Sequence, residues 1–325
     1  MVPTPSRTSS GRRRLVLCLD GTWNRANPLP GVYPTNVLRL ARAAASRDSD
    51  DREQIVFYQE GVGTASFFDS SIRGFTGHGI VEKIHEAYKF LAQHWRPEDV
   101  LYLFGVSRGA FAALQLTRLL GRYGVPPEPE SDAWDRVWAA WLAGEDRADA
   151  DWRKPQVDFL GAWDTVEALG LPLPGLRRWT TPEVGSRGPL LGVTVRRAYH
   201  ALAFHERRIA FHPTIWQAPF PPGCVVEQRW FRGAHADVCG GFGNPALADV
   251  SLGWMVGHAR QAGLAFDEKL LEKTLRPDPM ARMSPLRTGW HRILPLEPRR
   301  PRQTSPESET MDEAVLDELA QTRNR

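Results

Sequence analysis

The 325-residue sequence has only three cysteines, Cys18, Cys224 and Cys239, and no pair stands at the CxxC spacing of a metal site. A disulfide framework and a zinc knuckle are thereby excluded, and free thiols in a reducing compartment are expected. Nor does any run approach the roughly 20 apolar residues that span a bilayer. The opening MVPTPSRTSSGRRR lacks an apolar stretch of signal-peptide length. A soluble, cytoplasmic protein is expected, with secretion by a non-classical route and peripheral contact with a membrane surface both compatible. Charge of one sign is also scarce. The net charge is +3, and the basic clusters Arg12 to Arg14 and Arg299 to Arg302 lie near Pro/Ser-rich ends rather than on one periodic face, so no nucleic-acid partner is expected. No internal repeat is present, and no cofactor is called for. With 42% hydrophobic and 24% charged residues, the chain has the composition of a globular domain that buries a sizeable core.

Short β-rich runs alternate with amphipathic helices, the pattern of an α/β protein with a mostly parallel central sheet flanked by helices. Strands are expected in LVLCLD (15–20), IVFYQE (55–60), VLYLF (100–104), VDFLGAWD (157–164) and VVEQRWF (225–231). Helices are expected from TNVLRLARAAA, capped by Thr35, and from the run carrying Ile80, Ile84, Ala87, Tyr88, Leu91 and Trp95. YHALAFHERRIAF also reads as a helix, as does DVSLGWMVGHARQAG, with Asp249 as its cap and Gly263 as its stop. The domain is expected over 13–294, with insertions near 122–155, rich in tryptophan, and near 170–190. A polar tail (1–12) and a Pro/Arg/Glu-rich tail (295–325) with a short terminal helix flank it, both tails expected to be mobile.

GVSRG (105–109) fits GxSxG between the strand VLYLF and the helix AFAALQL. A sharp strand-to-helix turn needs small neighbours, which accounts for Gly105 and Gly109 and holds the Ser107 hydroxyl at the sheet edge. The Arg108 amide and the helix dipole can then stabilise an oxyanion. An N-capping serine in an ordinary turn is the bland alternative. A serine nucleophile needs a base, and the base an acid. In the order Ser, acid, His, with each at a strand end, Asp164 follows VDFLGAW and His235 follows VVEQRWF within a glycine-dense turn. His200, His205 and His258 sit on expected helices. Asp237 is the runner-up acid.

DGTWN (20–24) follows the first strand, and the amides of Gly21 and Thr22 can supply a second oxyanion donor. Phosphatases of the haloacid-dehalogenase type carry DxDGT there, but Cys18 stands where their nucleophilic Asp would be. Asp20 is left to orient the loop, or to hold a metal with Asp164 and His235 in a phosphate-ester hydrolase. A non-catalytic module that binds through the same cleft is the remaining class.

The segments LDGTWN, YQEGVGT, GVSRGA, FLGAWDTV, YHALAFHERR and WFRGAHADVCGGF, with ADVSLGWM downstream, resemble a family of bacterial and fungal α/β hydrolases. That family includes the catalytic domain of type VI secretion phospholipase effectors. The resemblance spans roughly residues 13 to 268. It implies an α/β-hydrolase fold and a serine esterase or phospholipase with Ser107, Asp164 and His235 as its triad, acting without a cofactor on a small-molecule or lipid ester. His205 and Cys239 depart from the family pattern, and no long apolar region follows residue 268.

Overall fold

Leu15, Val16, Leu17, Cys18 and Leu19 are all fully buried, and a strand covered on both faces belongs inside a parallel sheet. The computed structural model describes residues 12–21, 24, 32–61, 78–126, 131–145, 152–167, 189–241, 244–285 and 296–323. Among them, β1 (Arg14–Leu19), β2 (Gln54–Gln59), β3 (Val100–Val106), β4 (Val157–Trp163), β5 (Arg197–Ala203), β6 (Val225–Phe231) and β7 (Glu309–Met311) form a seven-stranded sheet. Its order is β2-β1-β3-β4-β5-β6-β7, and every pairing is parallel.

One face is covered by α1 (Asn36–Ala43), α6 (Ala246–Gln261) and α7 (Glu268–Thr274), which pack on Val16, Cys18, Phe104 and Phe159. The other is covered by α2 (His78–His94), α3 (Arg108–Tyr123) and α4 (Ser131–Ala143), which pack on Leu15, Leu17, Leu101 and Leu103. Two shorter helices, α5 (His235–Cys239) and α8 (Glu313–Arg323), complete the set. Trp134 and Trp141 on α4 are buried in the second core layer, so this part of the tryptophan-rich insertion is core. Thr35 caps α1, accepting from the Leu38 amide at 3.3 Å as expected.

This sheet with helices on both faces is an α/β-hydrolase fold. Its strand order reverses once, because β1 connects outward to β2 and the chain returns across it to β3. Loops leaving β1 and β3 therefore diverge, and the crevice between them is where open parallel sheets place ligands. Asp20 ends β1 and Ser107 ends β3. Among the described residues, no helix is long and apolar enough to cross a membrane.

Three expectations are corrected. The segment beginning at Tyr199 is β5 and not a helix. Its Ala198, Ala201, Leu202 and Ala203 have no exposed surface, and burial on both sheet faces overrides the helix preference of an Ala/Leu-rich run. The helix expected from Asp249 begins earlier, at Ala246, and Asp249 lies buried in its first turn, paired with Arg39 on α1 at 2.5 Å. The tail expected to be mobile from residue 295 is instead built into the domain from residue 296 and supplies β7 at the sheet edge, while the short terminal helix expected after it is α8. The insertion near 170–190 and the N-terminal tail lie almost wholly outside the described residues.

A buried cage holds β7 in place. The Glu309 carboxylate accepts from Trp230 Nε1 at 2.8 Å, the Arg302 amide at 2.7 Å and the Ser305 amide at 2.9 Å. Glu309→Ala strands two buried donors and a part-buried one, and a stability loss of about 3 kcal/mol is expected. Urea unfolding measures it, and a loss below about 1 kcal/mol would show that water replaces the carboxylate.

Candidate functional site

Ser107 joins β3 to α3 with φ 56° and ψ −120°, a conformation that costs a non-glycine residue energy and persists only when its surroundings enforce it. Both motif glycines are part of that enforcement. A Cβ at Gly105 would lie 2.5 Å from the Ala110 backbone, and one at Gly109 would lie 2.1 Å from the Leu19 carbonyl oxygen. The α3 helix thus starts in backbone contact with the end of β1, a closeness that only a missing side chain permits. The Ser107 hydroxyl makes no capping bond to its own helix, which removes the N-cap explanation for the residue. Arg108 opens α3, with its amide at the positive end of the helix dipole.

Asp164 follows β4, also at positive φ (42°), and has no exposed surface. His235 follows β6 and opens α5 rather than standing in an open turn. Gly233, at φ +115°, turns the chain into this helix. The two side chains meet, with His235 Nδ1 2.6 Å from Asp164 Oδ2. This contact assigns the proton to Nδ1 and leaves Nε2 as the basic nitrogen. Ser107 reaches the pair through Trp163. Its amide donates to the Trp163 carbonyl at 2.8 Å, and Cys239 Sγ lies 3.6 Å from that same oxygen and 3.9 Å from His235 Nε2. Burial alone would push the Asp164 carboxyl up, but the Arg299 charge and the hydrogen bonds from His235 and Arg299 hold it well below the usual carboxylate range.

Asp237, the other candidate acid, points elsewhere. Its carboxylate accepts from the Ala234 amide at 2.9 Å and the Ser284 amide at 3.1 Å, closing the turn that presents His235. Asp20 is equally committed. Its oxygens accept from the Gly21 amide (2.6 Å), Thr35 Oγ1 (2.6 Å) and Tyr58 Oη (2.7 Å). The expectation that Gly21 donates to an oxyanion is therefore corrected, since a fully buried carboxylate has claimed its amide. Thr22 lies outside the described residues. Asp20 is enclosed by neutral donors and Asp164 by His235 and Arg299, and no cluster of three or more His, Cys, Asp or Glu side chains suited to a metal occurs among the described residues.

Three supporting residues escaped sequence reasoning. Glu206 is fully buried, binds Arg208 in a two-pronged pair (2.8 and 2.6 Å) and accepts the His235 amide at 3.2 Å, so it fixes the backbone that carries the imidazole. His200 on β5 accepts the Thr165 amide at Nε2 (3.0 Å), and its Nδ1 faces Gln228 Oε1 at 3.2 Å, directly behind Asp164. Arg299 grips Asp164 itself. Only the adjacent ERR in YHALAFHERR offered any signal for Glu206, and a histidine expected on a helix offered none for His200. Arg299 lay in a segment expected to be mobile. His205, where the family pattern has an acid, binds Glu318 on α8 at 2.9 Å.

Gly109→Ala drives a methyl into the Leu19 carbonyl, and a loss of about 3 kcal/mol or more is expected. Circular dichroism melts check it, and a variant within about 1 kcal/mol of the wild type would mean that α3 can slide off β1. A second expectation concerns acid. Burial lowers the His200 pKa to about 4. A histidine with a depressed pKa in the folded state contributes stability that is complete above its ordinary value near 6.5 and disappears as the pH falls toward 4. Stability should fall by up to about 3 kcal/mol across that interval and less steeply in His200→Gln. Equal slopes in urea unfolding of the two proteins would refute it.

Comparison with known proteins places the chain in a family. A protein of Saccharomyces cerevisiae, itself uncharacterised, is 33% identical over 135 residues, which cover 37% of this chain and 19% of that protein. An uncharacterised protein from Pseudomonas aeruginosa has a similar structure, with a TM-score of 0.50 and 20% identity over 82% of this chain and 49% of its own. The Tle1 effector, solved bound to the VgrG spike of the type 6 secretion system, is similar at a TM-score of 0.44 and 22% identity, covering 73% of this chain and 52% of that one. The chain thus spans about half the length of those two solved proteins, and the match reaches only a fifth of the yeast one. Residues 13–258 match the type VI secretion family of Tle1-like phospholipase effectors over its catalytic domain, and the chain belongs to that family.

Proposed function

We propose that the chain is a serine hydrolase that cleaves carboxylic esters, with glycerophospholipids as the substrate class, through Ser107, His235 and Asp164. The observation that carries this reading is the 2.6 Å pair between His235 and a buried Asp164, together with a serine held at φ 56° on a strand-to-helix turn whose amide bonds the carbonyl of the residue before Asp164. Membership of a family of phospholipase effector catalytic domains supports the substrate class.

The chemistry follows from the charges. His235 Nε2 takes the Ser107 proton as Oγ attacks the ester carbonyl, and the carbonyl π electrons move onto oxygen. The Arg108 amide at the α3 N-terminus binds that oxyanion, with the Thr22 amide as its partner donor. Collapse of the tetrahedral species breaks the bond to the alcohol, which leaves with the proton from His235 and gives an acyl-serine. Water, deprotonated by His235, then attacks the acyl carbon, and Ser107 departs with its proton restored. Asp164 keeps the imidazole in the Nδ1–H tautomer and offsets the charge that forms on it.

Hydrolysis of p-nitrophenyl esters of increasing chain length, and of phosphatidylcholine vesicles, tests the proposal. Ser107→Ala should lower kcat by about a thousandfold or more, and metal chelation should leave the rate unchanged. A rate that survives in Ser107→Ala, with the variant shown to be folded, would remove the nucleophile. A rate that chelation abolishes would revive the metal-dependent reading.

A further inference from the structure

A carboxylate has room for four hydrogen bonds, and Asp164 makes all four. Oδ1 accepts from the Ala203 amide at 3.0 Å and from Arg299 Nη1 at 2.5 Å, while Oδ2 accepts from His235 Nδ1 at 2.6 Å and from Arg299 Nη2 at 2.9 Å. The two terminal nitrogens of the guanidinium are as fully used. The remaining N–H of each terminal nitrogen goes to a carbonyl, that of Ala203 at 2.7 Å and that of Phe211 at 2.5 Å. Two donors of a planar group thus meet the buried carboxylate while two more bond carbonyls of other segments, and the arginine side chain is only 4% exposed.

Arg299 comes from outside the family's matched stretch, which ends at residue 258. The strap that carries it, residues 296–308, is pinned at both ends. At the near end Leu296 bridges Arg208, and the Glu297 amide donates to the Arg207 carbonyl at 2.6 Å. At the far end Gln228 Nε2, fully buried on β6, donates to Ser308 Oγ at 2.9 Å, next to the Glu309 cage. Arg207 and Arg208 follow Glu206 and donate their amides to its carboxylate, which also holds the His235 backbone. The strap is therefore tied to the same short segment that fixes the base.

We propose that Arg299 is a positioning residue of the triad, brought in by this C-terminal strap, which locks the Asp164 carboxylate in one orientation and sets a positive charge against the negative charge that Asp164 presents to His235. The proposal rests on the reading of Asp164 and His235 as triad members. A lone carboxylate beside an imidazole favours the imidazolium, and a guanidinium on the far side of that carboxylate opposes it. The other groups around His235 are accounted for. Glu206 is ion-paired with Arg208, Asp237 is held by the Ala234 and Ser284 amides, the Cys239 thiol is kept neutral by burial, and Phe211 presents an uncharged ring at 4.9 Å.

The test is an NMR titration of the His235 imidazole in the full chain, its signal assigned by its loss in His235→Gln, in the wild type, Arg299→Met and Arg299→Lys. Arg299→Met should raise the midpoint by about one pH unit and move the acidic limb of kcat/KM on a p-nitrophenyl ester upward with it. Arg299→Lys keeps the charge without the two-pronged grip. Its midpoint should stay nearly in place while kcat falls about tenfold or more. A purely structural arginine would lower melting temperatures and leave the midpoint alone. An unmoved midpoint in folded Arg299→Met overturns the proposal, and so does wild-type kcat in Arg299→Lys, the deciding measurement if the methionine variant does not fold. Should Ser107→Ala retain full activity, the nucleophile assignment falls, while the titration still decides whether Arg299 governs the Asp164–His235 pair.

Discussion

A carboxylate with no exposed surface must have its charge met by protein, because bulk solvent does not reach it. Asp164 is that carboxylate, and much of the architecture on its side of the sheet can be read as the means of meeting its charge. The Ala203 amide lies at the end of β5, the imidazole at the start of α5, and the guanidinium on the strap leading to β7. Three segments far apart in the chain are thus required at one point. The seventh strand, three residues long, contributes little sheet of its own, and its worth lies in anchoring the strap that delivers Arg299. His200, Gln228 and Ser308 form the fully buried polar layer behind, where each member has a partner, as a buried network must.

On the other side of the crevice the constraint is steric. Contact between the start of α3 and the end of β1 leaves no space for a Cβ at Gly109, and the same tight turn forces Ser107 into a conformation that side-chain-bearing residues avoid. That strain is maintained by the Ser107 amide bonding to the Trp163 carbonyl and by the Ser107 carbonyl accepting the Phe111 amide at 3.2 Å and the Val166 amide at 3.4 Å. Asp20, one residue past β1, is held by Thr35 of the α1 cap and by Tyr58 of β2. The loop after β1 is therefore organised by a buried carboxylate, in the same manner as the loop after β4.

The parallel sheet was legible because its strands are short runs of Val, Leu, Ile and aromatic residues between glycines and helices, and the order Ser, Asp, His could be read from where those runs end. β5 was missed because alanine and leucine favour helices locally, and only covering both sheet faces reverses that preference. The strap was missed for a related reason. Pro, Arg, Glu and Ser cannot build a core of their own, and composition alone then predicts a loose tail. Such residues become ordered when charged groups elsewhere need them. A buried Glu309 and a buried Asp164 are such needs, and neither is visible in the local sequence.

The reach of the motif and the reach of the cooperative unit therefore differ in this chain. The family match closes at residue 258, within α6, and contains Ser107, Asp164 and His235. Two of the four hydrogen bonds to the Asp164 carboxylate come from Arg299, beyond that boundary. A buried charge that loses a partner costs more than the intact pair contributes, typically about 3–5 kcal/mol, which is comparable to the whole stability of many domains. For this chain, then, residues 296–311 belong to the hydrolase domain on energetic grounds. The orientation of the Asp164 carboxylate is set jointly by the sheet that supplies it and the strap that grips it.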